Sequence, residues 1–247
     1  MSLNKQISKF IIFINKELMS IDSLNVISEK LSGPVNVNLY KKILYISAID
    51  CLSVIRFPEL RSKNRDKFLR FIDECAGWEE RNFVSVPIIK ERLKAVKGYT
   101  RLKRNINRIL DDCVKYYGCT IDIYKIDKLA DDLNILTSNK CELKIIEETR
   151  HRLLLYKYRN FIVHEFRELG YAMGVFGERS DFPIYHGYVG EKNWVLLYPV
   201  GFFRRLLENS IENMEIYLHE NKIDPYDHVR NTADWFTELD IARLRAT

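Results

Sequence analysis

The 247 residues include only 10 glycines and 6 prolines, which excludes a collagen-like chain or a Pro/Gly-rich disordered one. Cysteine is sparse and unpatterned: Cys51, Cys75, Cys113, Cys119 and Cys141 contain no Cys-x-x-Cys pair, and none lies beside a histidine at zinc-ligand spacing. That argues against a zinc module, and the odd number suits reduced thiols rather than a disulfide framework. Long apolar runs are missing too. The run from Phe10 to Ile14 is flanked by Lys9 and Lys16, too short for a signal segment and far from the roughly 20 residues of a membrane span. A soluble, cytoplasmic protein without membrane contact is expected. Rossmann, Walker, zincin and Gly-x-Ser-x-Gly motifs are absent, which removes nucleotide-cradling, zinc-protease and acyl-transfer readings, and neither a cofactor nor a metal site is expected.

What is present is ample core-forming material, with 47% hydrophobic and 12% aromatic residues. It supports a single helical domain over 1–247. Apolar residues recur at helical spacing from Leu3 to Leu18, and again through LYKKILYISAIDCLSVIRF up to Pro58, where most of the circumference is apolar and the helix must be central. A third helix is expected over NRDKFLRFIDECAGW, with Asn64 as N-cap and Gly77 as stop. Residues 142–167 form the longest helical pattern, with no Gly or Pro until Gly170. PIYHGYV and WVLLYPV, separated by Gly190-Glu191-Lys192-Asn193, read as a β-hairpin near 183–200. A last amphipathic helix runs from Phe202 to Leu218. The expected fold is therefore an all-α helical bundle with one small β-hairpin.

Charge is nearly balanced overall, 39 Lys and Arg against 34 Asp and Glu, but it is segregated along the chain. Lys90, Arg92, Lys94, Lys97, Arg101, Lys103, Arg104 and Arg108 meet a single acid, Glu91, between positions 90 and 108. With Tyr99 interleaved, Lys97, Arg101, Lys103, Arg104 and Arg108 form a candidate RNA-backbone grip, cations holding phosphate without sequence preference and the aromatic stacking on a base. A solvated helix face accounts for the same cluster equally well. From Asp111 to Glu148 acids dominate, and solvated helices joined by a loop are expected.

Within YKYRNFIVHEFR, Arg159, Asn160 and His164 are set among apolar residues. On a helix, Asn160 and His164 lie about 40° apart, and the long stem of Arg159 can curl toward them. An imidazole that moves a proton near neutrality, beside a fixed cation that balances charge growing on phosphate, suits RNA cleavage by the neighbouring 2′-hydroxyl. The structural alternative is a hydrogen-bonded core histidine beside a solvated or acid-paired arginine. Asp50 interrupts the central apolar helix and either serves His164 or Arg159 or is an ordinary exposed residue. Arg152, seven residues before Arg159 and on the same face, either extends a phosphate site or is solvated. His151, His186, His219 and His228 show no partner pattern and are assigned to structure or surface.

The hexapeptide Arg159-Asn160-Phe161-Ile162-Val163-His164 resembles the Arg-x4-6-His signature of the HEPN superfamily, and ILYISAIDCLSVIRFP resembles that superfamily's central early helix. The likeness applies to about residues 39–220. It implies a helical, metal-independent endoribonuclease of bacterial defence or growth control, with Arg159 and His164 catalytic, Asn160 supporting them, and a composite site formed across a homodimer. It also implies an antitoxin or defence-system partner. Many such toxins carry Tyr two residues after the His, where this chain has Phe166. The alternative within the same fold is a catalytically inactive module that binds RNA or a partner protein.

Overall fold

The computed structural model describes residues 2–25, 37–60, 63–98, 100–113, 120–168, 180–187 and 194–227. Among them the chain is mainly helical, with a few short strands. Helix α1 (Leu3–Ser23) buries Ile7, Phe10, Ile11, Ile14, Leu18 and Ile21, the face its periodicity marks. Helix α2 (Val37–Arg56) buries Tyr45, Ile46, Ile49, Leu52 and Ile55, and α3 (Asn64–Cys75) buries Phe68, Leu69, Phe71 and Ile72. Asn64 is the first helical residue of α3 rather than its cap; Lys63 takes the cap position without a side-chain hydrogen bond. Gly77 does stop the helix, at φ +59°.

Next come β1 (Phe83–Val84), α4 (Val86–Leu93), α5 (Arg101–Asp112), β2 (Thr120–Asp122), α6 (Ile123–Ile126), β3 (Lys128–Leu129) and α7 (Ala130–Asn134). They are followed by α8 (Lys140–Glu148), α9 (His151–His164), β4 (Ile184–Gly187), β5 (Trp194–Leu197) and α10 (Val200–Asn221). Strands β4 and β5 form the expected antiparallel hairpin, pairing Ile184 with Leu197 and Gly187 with Trp194; its connection, including Gly190, lies outside the described residues. Strand β2 adds to the free edge of β4, and β1 pairs with β3. These additional strands are too short to show a two-residue period in the sequence.

Two hydrophobic clusters organise the chain. The first joins α1, α2, α3, α9 and α10 around Trp78, whose ring centroid lies 4.9 Å from that of Phe202. The second gathers Ile89, Leu102, Ile106, Ile121, Ile126, Leu133, Ile146 and Tyr185. The acid-rich stretch 111–148 therefore contributes to a core instead of being solvated throughout; its charges ride on short elements whose inward positions are Ile, Leu and Ala.

The pattern over 142–167 is not one helix. It breaks between α8 and α9, where Thr149 (φ −104°, ψ 9°) and Arg150 (φ −58°, ψ 138°) leave helical geometry. The Thr149 hydroxyl donates to the carbonyls of Ile145 and Ile146, at 2.9 Å each. The Ser85 amide donates to the Thr149 carbonyl at 3.0 Å, and Arg150 bridges to Val84. A β-branched hydroxyl bonded back to its own turn, with the next backbone groups claimed by β1, ends α8 without Gly or Pro.

Candidate functional site

Helices α2 and α9 pack through the first cluster, burying Ile46 and Ile49 from one and Leu155, Tyr158 and Ile162 from the other. That packing turns Asp50 toward Arg159. The Arg159 guanidinium donates to Asp50 Oδ2 from Nε (3.0 Å) and Nη2 (2.7 Å). Its Nη1 donates to Asn160 Oδ1 at 3.0 Å and meets His164 Nε2 at 3.1 Å. A guanidinium nitrogen only donates, so His164 Nε2 accepts, and the proton of the neutral imidazole sits on Nδ1. Arg159 is mostly covered, with 15% of its side chain exposed, against 28% for Asp50, whereas His164 is exposed at the end of α9. The four residues singled out in the sequence, Asp50, Arg159, Asn160 and His164, thus meet in one place.

Burial raises the Asp50 pKa above the usual aspartate value, more strongly than the hydrogen bonds and charge of Arg159, with His164 and Lys67, pull it down. Burial, and then the Asp50 charge, also raise the neighbouring Cys51 thiol. No family model, curated protein or solved structure matches this chain. The site is therefore read from its own geometry. Among the described residues no group of three or more His, Cys, Asp or Glu is arranged to hold a metal ion, and no helix is long and apolar enough to cross a membrane.

The chain just beyond His164 is anchored by Arg167 and Glu168, which the sequence pattern did not flag. Phe166 adopts φ +52° and sends the backbone back along α9, and the Arg167 guanidinium lies over the Phe161 ring at 4.4 Å. Glu168 then pairs with Lys42 of α2 at 2.9 Å, the two side chains only 11% and 8% exposed. Lys42 sits in the same apolar helix as Asp50 and, like it, is a charge in an apolar stretch; that was the available signal. Seven residues before His164 on α9, burial lowers the pKa of Lys157, helped by the charges of Arg92 and Arg65.

Arg152 is engaged elsewhere, 2.7 Å from Asp73 and 3.6 Å from Glu147. The basic cluster is divided between α4, α5 and the turn joining them. Arg92 pairs with Glu148 at 2.6 Å and Lys94 with Glu91 at 2.5 Å. The Lys103 ammonium donates to the carbonyls of Val96 and Gly98, closing the turn between the helices. Arg101, Arg104 and Arg108 are exposed on α5, Lys97 is exposed before it, and Tyr99 lies outside the described residues.

Of the remaining histidines, His151 is wholly buried. Its Nε2 lies 2.6 Å from Asp127 Oδ2, which also accepts from the Tyr185 hydroxyl at 2.8 Å. The same hydroxyl reaches Ser85 Oγ at 2.6 Å, and the Val86 amide donates to Asp127 Oδ1 at 2.9 Å. This network carries no solvent access and joins α9, the start of α4 and β4. His186 is buried, His219 is exposed, and His228 falls outside the described residues.

Proposed function

We propose that the chain is a HEPN-type endoribonuclease of bacterial defence or growth control, cutting RNA by attack of a 2′-hydroxyl on the adjacent phosphate. The observation that carries this reading is the meeting of the Arg159 guanidinium with His164 Nε2 and Asn160, braced from behind by Asp50. In the reaction His164 Nε2 exchanges its hydrogen bond from Arg159 for the 2′-hydroxyl and takes that proton while the new O–P bond forms. Arg159 balances the charge growing on the phosphate oxygens, and the P–O5′ bond breaks as the leaving oxygen gains a proton. The products are a 2′,3′-cyclic phosphate and a free 5′-hydroxyl. No step of this chemistry draws on a metal.

One protomer offers one imidazole, and the leaving oxygen needs an acid. A second copy related by a two-fold axis supplies it, the partner's His164 facing the first across the interface. Helix α2 favours such pairing, since Tyr40, Leu44 and Val54 are 44%, 43% and 42% exposed and fall within about 80° of one another on the helix that bears Asp50. Phe166, 63% exposed beside His164, extends the apolar surround. An antitoxin or defence-system partner belongs to the same reading.

A second reading, an inactive RNA-binding or protein-interaction module, is favoured by one observation. Asp50, Asn160 and His164 together take four of the five N–H groups of Arg159 when its two Nη1 contacts use separate hydrogens, which leaves one for a phosphate. The deciding experiment incubates purified protein with total RNA in EDTA, beside Arg159→Ala, His164→Ala and an equimolar mixture of the two. The nuclease reading expects chelator-resistant cleavage with cyclic phosphate ends, two inactive variants that remain folded, and a dimer by solution mass. Cleavage lost in EDTA and restored by magnesium, or variants that cut normally, overturns it.

A further inference from the structure

Helix α5 has two sharply different faces. Leu102, Ile106 and Leu110 are buried in the second cluster, at most 3% exposed. The opposite face carries Arg101, Arg104, Asn105 and Arg108, which fall within about 100° on a helical wheel and span about 10 Å along the axis. Together with Leu136, from the turn after α7, these four residues line a groove of about 270 Å³. Other cations of the cluster have structural employment, Arg92 on Glu148, Lys94 on Glu91 and Lys103 on backbone carbonyls. Arg101 and Arg108 form no ion pair among the described residues, although Asp111 and Asp112 follow them on the same helix. Three arginines on one helix face repel one another, and an anionic polymer relieves that repulsion while releasing its counterions.

We propose that the α5 groove is a binding site for single-stranded RNA, in which Arg101, Arg104 and Arg108 hold successive phosphates and one unstacked base enters between Asn105 and Leu136. The inference rests on the reading of the chain as an RNA-cutting protein for its choice of polymer. Three features of the groove decide among anionic ligands. Its volume of about 270 Å³ lies under the roughly 300 Å³ at which small-molecule pockets begin, which leaves room for a single base while the phosphates lie along the arginines outside it. Its wall combines an aliphatic side chain with an amide that both donates and accepts, suited to the face and edge of a base that a duplex keeps stacked. The third feature separates α5 from membrane-surface helices. Such helices bury an apolar face in lipid, and the apolar face of α5 is already spent on the protein core. The arginines then act as fork-shaped phosphate donors on a rigid helix, away from the Asp50–Arg159 pair.

The test uses the full chain carrying His164→Ala, so that RNA survives the measurement, with fluorescence anisotropy of a 12-nucleotide single strand and of a matched duplex over a salt series. Arg101→Gln with Arg108→Gln is expected to weaken single-strand binding at least about tenfold and to lower the slope of log affinity against log salt by about 1.4, at about 0.7 for each phosphate no longer neutralised. Asn105→Ala with Leu136→Ala is expected to weaken single-strand binding while leaving the salt slope and the duplex affinity unchanged. Circular dichroism and the thermal midpoint of each variant establish that these surface changes leave the fold intact. Several results overturn the inference: no single-strand binding by the parent, unchanged affinity and slope in the arginine variant, equal losses on strand and duplex, or a loss seen only on anionic lipid vesicles. A chain that cuts no RNA but loses single-strand binding in the arginine variant refutes the nuclease reading and leaves the groove standing. Cleavage by a chain whose binding ignores α5 does the reverse.

Discussion

Replacing Asp127 with alanine should be among the most damaging single changes outside the hydrophobic clusters. Its side chain is wholly buried, and the carboxyl group accepts from the Val86 amide, the Tyr185 hydroxyl and the His151 ring, at 2.9, 2.8 and 2.6 Å. Truncation leaves Val86 N–H and the His151 Nε2 proton without acceptors in a dry site, each costing about 1–3 kcal/mol. His151 Nδ1 already has no partner, so the ring cannot recover by exchanging tautomers. Tyr185 keeps its bond to Ser85 and loses less. Removal of a desolvated carboxyl offsets part of this, which leaves a net loss of about 3–5 kcal/mol. For a chain of this length that is a fall in Tm of about 6–20 °C. Asp127→Asn retains an acceptor for Val86 but turns an amide N–H toward the His151 Nε2 proton, so it should cost less than the alanine variant without matching the parent. Urea unfolding of the three proteins, followed by circular dichroism, measures the differences as midpoint shifts at constant slope. An alanine variant within 1 kcal/mol of the parent would falsify the account, since the hydrogen bonds would then do no more than cancel the burial of the carboxyl.

Asp50 predicts a pH dependence. Its raised pKa means that the folded chain holds this proton to higher pH than the unfolded one, so the associated stability is complete below the ordinary aspartate value and is lost as pH climbs through the raised one. Asp50→Asn should flatten that part of the stability profile, and parallel profiles for the two proteins would refute the assignment. Gly77→Ala should lower stability by about 1–3 kcal/mol, because its positive φ disfavours a side chain and a Cβ there would stand 2.9 Å from Asn209 Nδ2. Thermal unfolding tests it, and an unchanged midpoint would refute both the backbone cost and the clash with Asn209.

The large amphipathic helices were legible because burial enforces their period: α1, α2 and α10 bury most of the residues that the spacing picks out, Phe13 and Leu44 being exposed exceptions, and α10 extends beyond the expected 202–218 by about one and a half turns in total. The meeting of Asp50 with Arg159 was half-legible, since a charge inside an apolar helix needs a partner and the choice was small. Lys42 obeyed the same rule, but its partner Glu168 lies 126 residues away in an unpatterned segment. The break at Thr149 was illegible because its cause is a strand from another part of the chain taking the backbone groups of residues 149–150. Asp127 and Tyr185 offered no pattern at all, because a buried network is specified by three-dimensional proximity and not by spacing.

The break at Thr149 gives α9 two ends of opposite character. Its first residue, His151, is fixed in the interior by Asp127, while its last, His164, stands in solvent about 20 Å along the axis. Amide hydrogen exchange should therefore be graded along this one helix, slow near the buried end, where opening approaches global unfolding, and fast in the final turn, where only fraying is required. His164, which accepts from Arg159, lies in that fast turn, while Asp50 holds Arg159 from α2 and the Lys42–Glu168 pair steadies the chain beyond. A site built at the fraying end of a rod seated in the core can open and re-form many times within the lifetime of a single folded molecule.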